Sequence, residues 1–258
     1  MEEFHEEEPQ QNPQYNVEVE THNRVDVQNS DEGSKLSIEE KIRIGFVRKV
    51  YGILTFQLLL TFSICLLTFF NSVSEFMKNN SYLLFVSLLI QIIVILVLGC
   101  SEIISSKNLF KIFPYNYILL FLFTISMGYS AATLCVGINK IIVITAIAMT
   151  LGITVALTIY ALTVKDQFIL VHAFLYSFIT TIVEIIIFYF FFNYQLILTL
   201  ELFAGLLVYC AYLIFDTQMI FDKFGNGYGI EDYIIAALNI YIDIIQIFIK
   251  ILLILSKK

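Results

Sequence analysis

Tyr212-Leu213-Ile214-Phe215-Asp216-Thr217-Gln218 and Leu238-Asn239-Ile240-Tyr241-Ile242-Asp243-Ile244-Ile245 are the two stretches that decide how this chain folds. Between them lies a glycine-rich break, Gly225-Asn226-Gly227-Tyr228-Gly229. Each stretch belongs to an apolar run long enough to lie in a bilayer, and each run carries one aspartate. An intramembrane carboxylate costs several kcal/mol unless it is paired, protonated or wetted by a cavity. Two of them on consecutive apolar segments are therefore expected to meet.

The rest of the chain supports a membrane setting. Of 258 residues, 59% are hydrophobic, against about 45–50% for a soluble domain, and mean hydropathy is +0.83. Apolar runs of about 20 residues recur, the length that a hydrocarbon core about 30 Å thick asks of a helix. The runs are apolar all round, which excludes a transmembrane β-barrel with its alternating polar positions. The expected fold is an all-α polytopic membrane protein with seven transmembrane helices. Its spans fall near 50–70, 82–103, 113–136, 140–163, 168–192, 196–221 and 232–255. The breaks between them hold turn chemistry, such as Asn79-Asn80-Ser81, Asn139-Lys140 and Lys165-Asp166-Gln167. Because several are short, sequence neighbours should pack antiparallel.

The net charge of −7 belongs to one end. Residues 1–40 carry 12 acidic and two basic side chains, whereas residues 41–258 carry ten acidic and 13 basic ones. The first segment, also rich in Gln and Asn, has the composition of a disordered acidic tail, and such a tail is no partner for nucleic acid. Ser37-Ile38-Glu39-Glu40 has the pattern of a helix start. Lys41, Arg43, Arg48 and Lys49 then form a basic collar ahead of the first apolar run. With the tail in the cytosol, eight Lys and Arg lie on the cytosolic side and four (Lys78, Lys140, Lys257, Lys258) on the far side, the bias expected of that orientation. Seven spans then put the C-terminus on the far side, or on the cytosolic side if the last run dips in and returns. The acidic start is not a signal peptide, so the first membrane helix is expected to act as its own insertion signal.

Cys65, Cys100, Cys135 and Cys210 sit within or at the ends of apolar runs without close spacing, and read as small core residues. The only histidine outside the tail is His172, read as packing, so no histidine-built zinc site and no structural metal or cofactor is expected. Tyrosines cluster near span ends as interface anchors. Gly128, Gly137, Gly152 and Gly205 are expected to permit close helix contact.

Asp243 lies about 12 residues into its run, roughly 18 Å at helical rise, and Asp216 about five residues from the cytosolic end of its own, roughly 8 Å deep. Tilt, or a last helix whose first turns lie at the interface, would reconcile the depths. Two close carboxylates in low dielectric cannot both ionise cheaply, so the pair would hold one proton between them and act as a pH switch or a cation site. The bland alternative is hydrogen bonding to Tyr, Thr or Asn that only fixes packing. Glu184 and Glu201 are candidates to line the outer part of a cation route, or to make protonated helix contacts. Lys111 could reach Asp216 and hold it ionised, or snorkel to headgroups.

The chain resembles the transmembrane Bax-inhibitor-motif family, in particular its Lifeguard branch. The resemblance spans residues 46–255. It is carried by Phe46-Val47-Arg48-Lys49-Val50-Tyr51-Gly52-Ile53-Leu54-Thr55-Phe56-Gln57-Leu58-Leu59-Leu60-Thr61, by Leu157-Thr158-Ile159-Tyr160-Ala161, by Phe215-Asp216-Thr217-Gln218, and by Glu231-Asp232-Tyr233-Ile234-Ile235-Ala236-Ala237-Leu238-Asn239-Ile240-Tyr241-Ile242-Asp243-Ile244. It implies seven helices with the last one central, and a pH-sensitive calcium leak through endoplasmic reticulum or Golgi membranes. It also implies suppression of programmed cell death, and an aspartate pair, here Asp216 and Asp243, as the pH sensor. The permeant species would be Ca2+ and H+. The partners would be the lipid bilayer and other membrane proteins of calcium handling or cell-death control. The family's latch arginine has no counterpart, since no arginine follows Arg48. Lys111 is the nearest substitute, without the bidentate fork, and Lys165-Asp166-Gln167-Phe168 places its acid one position early.

Three rivals remain to be weighed. An intramembrane aspartyl protease also uses two aspartates on consecutive helices, but Ile240-Tyr241-Ile242-Asp243 is no Gly-x-Gly-Asp and no proline follows Pro114. The expectation is therefore a protein that is not an enzyme. A seven-helix receptor lacks Asp-Arg-Tyr and Asn-Pro-x-x-Tyr. A proton-coupled cation transporter could use the same carboxylates, although the internal repeats typical of that class are missing.

Overall fold

The structure, a computed structural model, describes the backbone of residues 13–104, 114–163, 194–221 and 227–257, and the side chains of residues 40–97, 114–163, 200–221 and 227–257. The described backbone holds seven helices: α1 (Pro13–Leu67), α2 (Asn71–Asn79), α3 (Tyr82–Ile104), α4 (Tyr115–Cys135), α5 (Lys140–Thr163), α6 (Tyr194–Phe221) and α7 (Tyr233–Ser256). The chain divides into two compact units, Met1–Gly45 and Phe46–Lys258.

In the first unit the backbone is helical from Pro13 on, where composition pointed to disorder and the helix start was expected at Ser37. A proline suits the first helical position, where its missing N–H has no intrahelical partner to lose. Acid-before-base spacings at i, i+4, Glu20 with Arg24 and Asp31 with Lys35, favour helix locally. The stretch Glu40–Leu67 of α1 is long and apolar enough to cross a membrane.

The second unit is the membrane body. Among the described residues, five helical segments are long and apolar enough to span a bilayer: Glu40–Leu67, Tyr115–Cys135, Lys140–Thr163, Leu200–Phe221 and Tyr233–Ser256. These correspond to the expected first, third, fourth, sixth and seventh spans. The expected second span, 82–103, coincides with the backbone of α3, and α2 meets the first part of that helix at a bend of 79°. The asparagines read as a loop instead bracket a short helix. Asn80 closes α2, its backbone N–H and its Nδ2 both donating to Phe76 O at 3.1 and 2.9 Å. The expected fifth span, 168–192, lies outside the described residues, as do His172, Glu184, Lys111 and Lys107.

The turn between α4 and α5 needs Gly137, whose φ of +84° is the left-handed conformation that a Cβ disfavours. Asn139 then starts α5, its Oδ1 accepting from the Ile141 N–H at 2.9 Å. Gly128 does permit close helix contact: a Cβ there would meet Ile64 Cδ1 at 2.9 Å and the Thr61 backbone at 3.5 Å. Among the described residues Gly152 makes no such contact, with nothing there within 4 Å of where its Cβ would be.

The outer face is apolar, with Phe85, Leu89, Ile141, Val155, Ile159 and Leu207 exposed, as suits a surface whose solvent is lipid. Inside, α7 is enclosed. Buried residues follow one another along it, from Ala236, Ala237 and Leu238 through Ile244 and Ile245 to Ile251 and Leu252, more than one face can supply. It packs against α4, α5 and α6 and also reaches α1. Thr61 Oγ1 and the Tyr241 hydroxyl share a hydrogen bond of 2.7 Å, and Phe62 meets Phe248 edge-on at 5.5 Å. Polar side chains tie the other helices together. Gln57 Nε2 donates to Thr124 Oγ1 (3.0 Å) between α1 and α4. Ser87 and Gln91 of α3 both reach Ser130 Oγ of α4, at 2.8 and 2.9 Å. In lipid such bonds and close packing hold helices together where no hydrophobic driving force between them exists. Cys65 and Cys135 are free thiols buried in this core.

Candidate functional site

Two contacts and the reach of one charge set the register of α6 on α7. Lys250 lies across Gly205, its Cε 2.9 Å from where a Cβ would sit. The Asp243 charge acts on Tyr209, Cys210 and Tyr212. Asp216 meets Asn239 through Tyr228, whose hydroxyl donates to Asp216 Oδ1 at 3.4 Å and accepts from Asn239 Nδ2 at 2.8 Å. The partners advance along one helix as they retreat along the other, so the two helices run antiparallel. Asp216 is level with Asn239, and Asp243 is one turn further along α7, about 6 Å at helical rise. The apparent mismatch in depth between the carboxylates thus shrinks to a single turn, with no interfacial stretch of α7 needed.

The two carboxylates lie within electrostatic reach of one another but in different surroundings. Asp243 is 6% exposed, and its Oδ2 has no hydrogen-bond partner among the described residues. Asp216, half-buried, has the tyrosine bond. Tyr228 belongs to the segment between the two spans. The backbone holds it there, its N–H donating to Met219 O at 3.3 Å. Burial pushes its phenol up from the ordinary value, and the negative charge of Asp216 pushes it further, partly offset by the Asn239 bond. It therefore stays a neutral proton donor through the physiological range. Two residues along α6 from Asp216, Gln218 is 4% exposed and its Nε2 is likewise without a partner among the described residues.

Of the candidate residues, the structure brings Asp216 and Asp243 into one neighbourhood and leaves Glu201 outside it. Glu201 is half-buried on α6, 15 residues before Asp216 or about 22 Å along the axis. Among the described residues, no three His, Cys, Asp or Glu side chains converge as a metal site would require. Sequence reasoning missed three participants. Tyr228 read as an interface anchor, Asn239 was given no role of its own, and Lys250 went unremarked. Lys250 did carry a signal, being a cation inside an apolar run seven residues, or two turns, past Asp243.

Comparison with known proteins agrees with this architecture. The family model described as "Inhibitor of apoptosis-promoting Bax1" matches residues 43–258. Protein lifeguard 3 of Homo sapiens is 32% identical over 226 residues, covering 85% of this chain and 71% of that protein. Bax inhibitor 1 of Schizosaccharomyces pombe is 32% identical over 219 residues, 84% of this chain and 78% of that one. Protein lifeguard 4 of Mus musculus is 30% identical over 215 residues, 82% and 84% of the two chains. With the match running through every described transmembrane helix, including the two that carry Asp216 and Asp243, the chain belongs to the Bax-inhibitor family of membrane proteins.

Proposed function

We propose that this protein is a pH-sensitive calcium leak of intracellular membranes, the endoplasmic reticulum or Golgi, that regulates calcium stores and cell death. The observation that carries this reading is the Asp243 carboxylate. It sits on a helix enclosed by four others, nearly without exposure, with one oxygen lacking any described hydrogen bond and a second carboxylate within electrostatic reach. A buried acceptor left unmatched is costly to keep for packing alone. It is what a site that takes up and releases a proton or a cation requires.

In this mechanism Asp216 and Asp243 hold one proton between them and α7 stays latched against α6. Tyr228, itself held by Asn239, provides a donor to Asp216, the role for which Lys111 was a candidate. A change in proton count alters the pairing and opens a narrow route for Ca2+ along the α6–α7 seam. Glu201, and with it Glu184, would line the outer part of that route. Lys250 lies between the pair and that end, and its charge limits how freely cations pass. The link to cell death rests on the family description, which speaks of inhibiting apoptosis-promoting Bax.

The test is calcium efflux from proteoliposomes holding the purified chain, set against cleavage of a membrane-spanning peptide in the same vesicles. The leak reading expects efflux that varies with pH and is lost with Asp216→Asn plus Asp243→Asn, and no cleavage. Aspartate-dependent cleavage would identify the protease instead. Calcium movement strictly coupled to counter-moving protons would identify the transporter.

A further inference from the structure

Away from the carboxylates, α1 and α4 run side by side in the same direction. Gln57 is bonded to Thr124, and Thr61 faces Gly128, one turn on in each helix. Between them lies a groove of about 410 Å³, walled by Gly52, Ile53 and Phe56 on one helix and by Leu120 and Phe121 on the other. Among the described residues nothing lies within 4 Å of where a Cβ on Gly52 would be. Phe56 and Phe121 are 59% and 49% exposed, so the groove opens sideways to the bilayer. At its inner end Gln57 and Thr124 are buried and turn to one another, so an occupant meets apolar walls.

The outer end of the groove is charged. Tyr117, which also lines it, has its ring 6.4 Å from that of Tyr233 at the start of α7. The Lys49 Nζ rests over the Tyr233 ring, 5.4 Å from its centroid. Tyrosines at this level mark the edge of the hydrocarbon. Lys49 comes three residues before Gly52, about 4.5 Å further out at helical rise, and both it and Arg48 beside it are exposed. An ammonium on a ring face still has N–H donors to offer an anion. Asp232, the residue before Tyr233, turns its carboxylate back onto Gly229.

We propose that this groove binds one phospholipid with a net negative headgroup, its phosphate on Lys49 and one acyl chain lying between Phe56 and Phe121. Cation outside and apolar walls inside is the order in which a phospholipid stands in its own leaflet, so the lipid enters sideways without inverting. The length agrees. From Tyr117 to Thr124 the walls run about 11 Å, most of the roughly 15 Å that a chain covers in crossing half the hydrocarbon core, and the tail leaves past the two exposed phenylalanines. The charge selects the headgroup. A choline would bring a third cation to Arg48 and Lys49, whereas a net negative headgroup meets them with opposite sign.

Native mass spectrometry of the full chain in detergent, titrated with dioleoylphosphatidylserine or dioleoylphosphatidylcholine, tests this. One phosphatidylserine should be retained, at least about fivefold more tightly than phosphatidylcholine, which is what one lysine contributes near an anionic surface. Lys49→Gln should remove most of that preference. Gly52→Leu, which fills the groove, should weaken retention of both lipids about tenfold, the loss of two buried methylenes. Glycerophosphoserine, the same headgroup without chains, should not displace the lipid. Unfolding temperatures show whether each variant is folded, and if Gly52→Leu is not, Lys49→Gln decides. Equal retention of the two lipids, several equivalent binding steps, a preference that survives Lys49→Gln, retention that survives a folded Gly52→Leu, or displacement by glycerophosphoserine overturns the proposal.

Discussion

At the scale of single residues, what distinguishes Asp243 from Asp216 is the hydrogen bonding around it. Both were legible in the sequence, because an acid in an apolar run is conspicuous. The tyrosine bonded to Asp216 was not. Tyr228 sits in a glycine-rich break, where a tyrosine ordinarily marks the membrane interface, and only the fold shows its hydroxyl between Asp216 and Asn239. Tyr228→Phe keeps the ring and removes the donor. It should cost about 1 kcal/mol of stability, the usual net worth of one hydrogen bond, and shift the pH profile of calcium efflux. Because burial and Asp216 both raise the Tyr228 phenol, the native tyrosine does not titrate near neutral pH. The midpoint of any pH response must therefore come from the carboxylates, and the variant should move that midpoint without abolishing the response. Thermal unfolding in detergent and efflux between about pH 5 and 8 check the two halves. An unchanged profile would mean that the tyrosine serves packing alone.

Among the helices, sequence spacing located α4 to α7 well but not how they approach one another. Gly128 and Gly152 look alike in sequence, each a glycine in an apolar run, yet among the described residues one meets a neighbouring helix and the other meets nothing within 4 Å. The difference lies in the rotation of each helix about its axis. Near-uniform apolarity conceals that rotation, since no polar stripe marks the outside. Gly128→Leu should therefore destabilise by about 1–3 kcal/mol, the cost of overpacking a filled contact, while Gly152→Leu should change stability by less than about 0.5 kcal/mol. Denaturation of both variants in the same detergent provides the comparison. The Thr61–Tyr241 bond binds α1 to the enclosed α7. A double-mutant cycle with Thr61→Val and Tyr241→Phe should return a coupling near 0.6 kcal/mol, the average for hydrogen bonds between membrane helices. A coupling of zero would mean that water or another partner replaces the bond in each single variant. The bend between α2 and α3 escaped the sequence for a different reason: Asn and Ser mark helix ends and loops alike.

For the molecule as a whole, the central claim is that α7 is enclosed and carries a titrating carboxylate. The enclosure was expected only from resemblance. It is visible in the structure as burial spread around the helix, which apolarity alone did not reveal because α5 is just as apolar and mostly exposed. The enclosing helices are tied by hydrogen-bonded side chains rather than by a solvent-driven core, so replacing one aspartate by its near-isosteric amide should leave the bundle standing. The most direct measurement is calcium efflux from proteoliposomes across the pH range, with wild-type chain and Asp243→Asn side by side at matched unfolding temperatures. The account predicts that the wild-type rate varies with pH and that Asp243→Asn flattens the profile. A variant that retains the wild-type pH profile would contradict it.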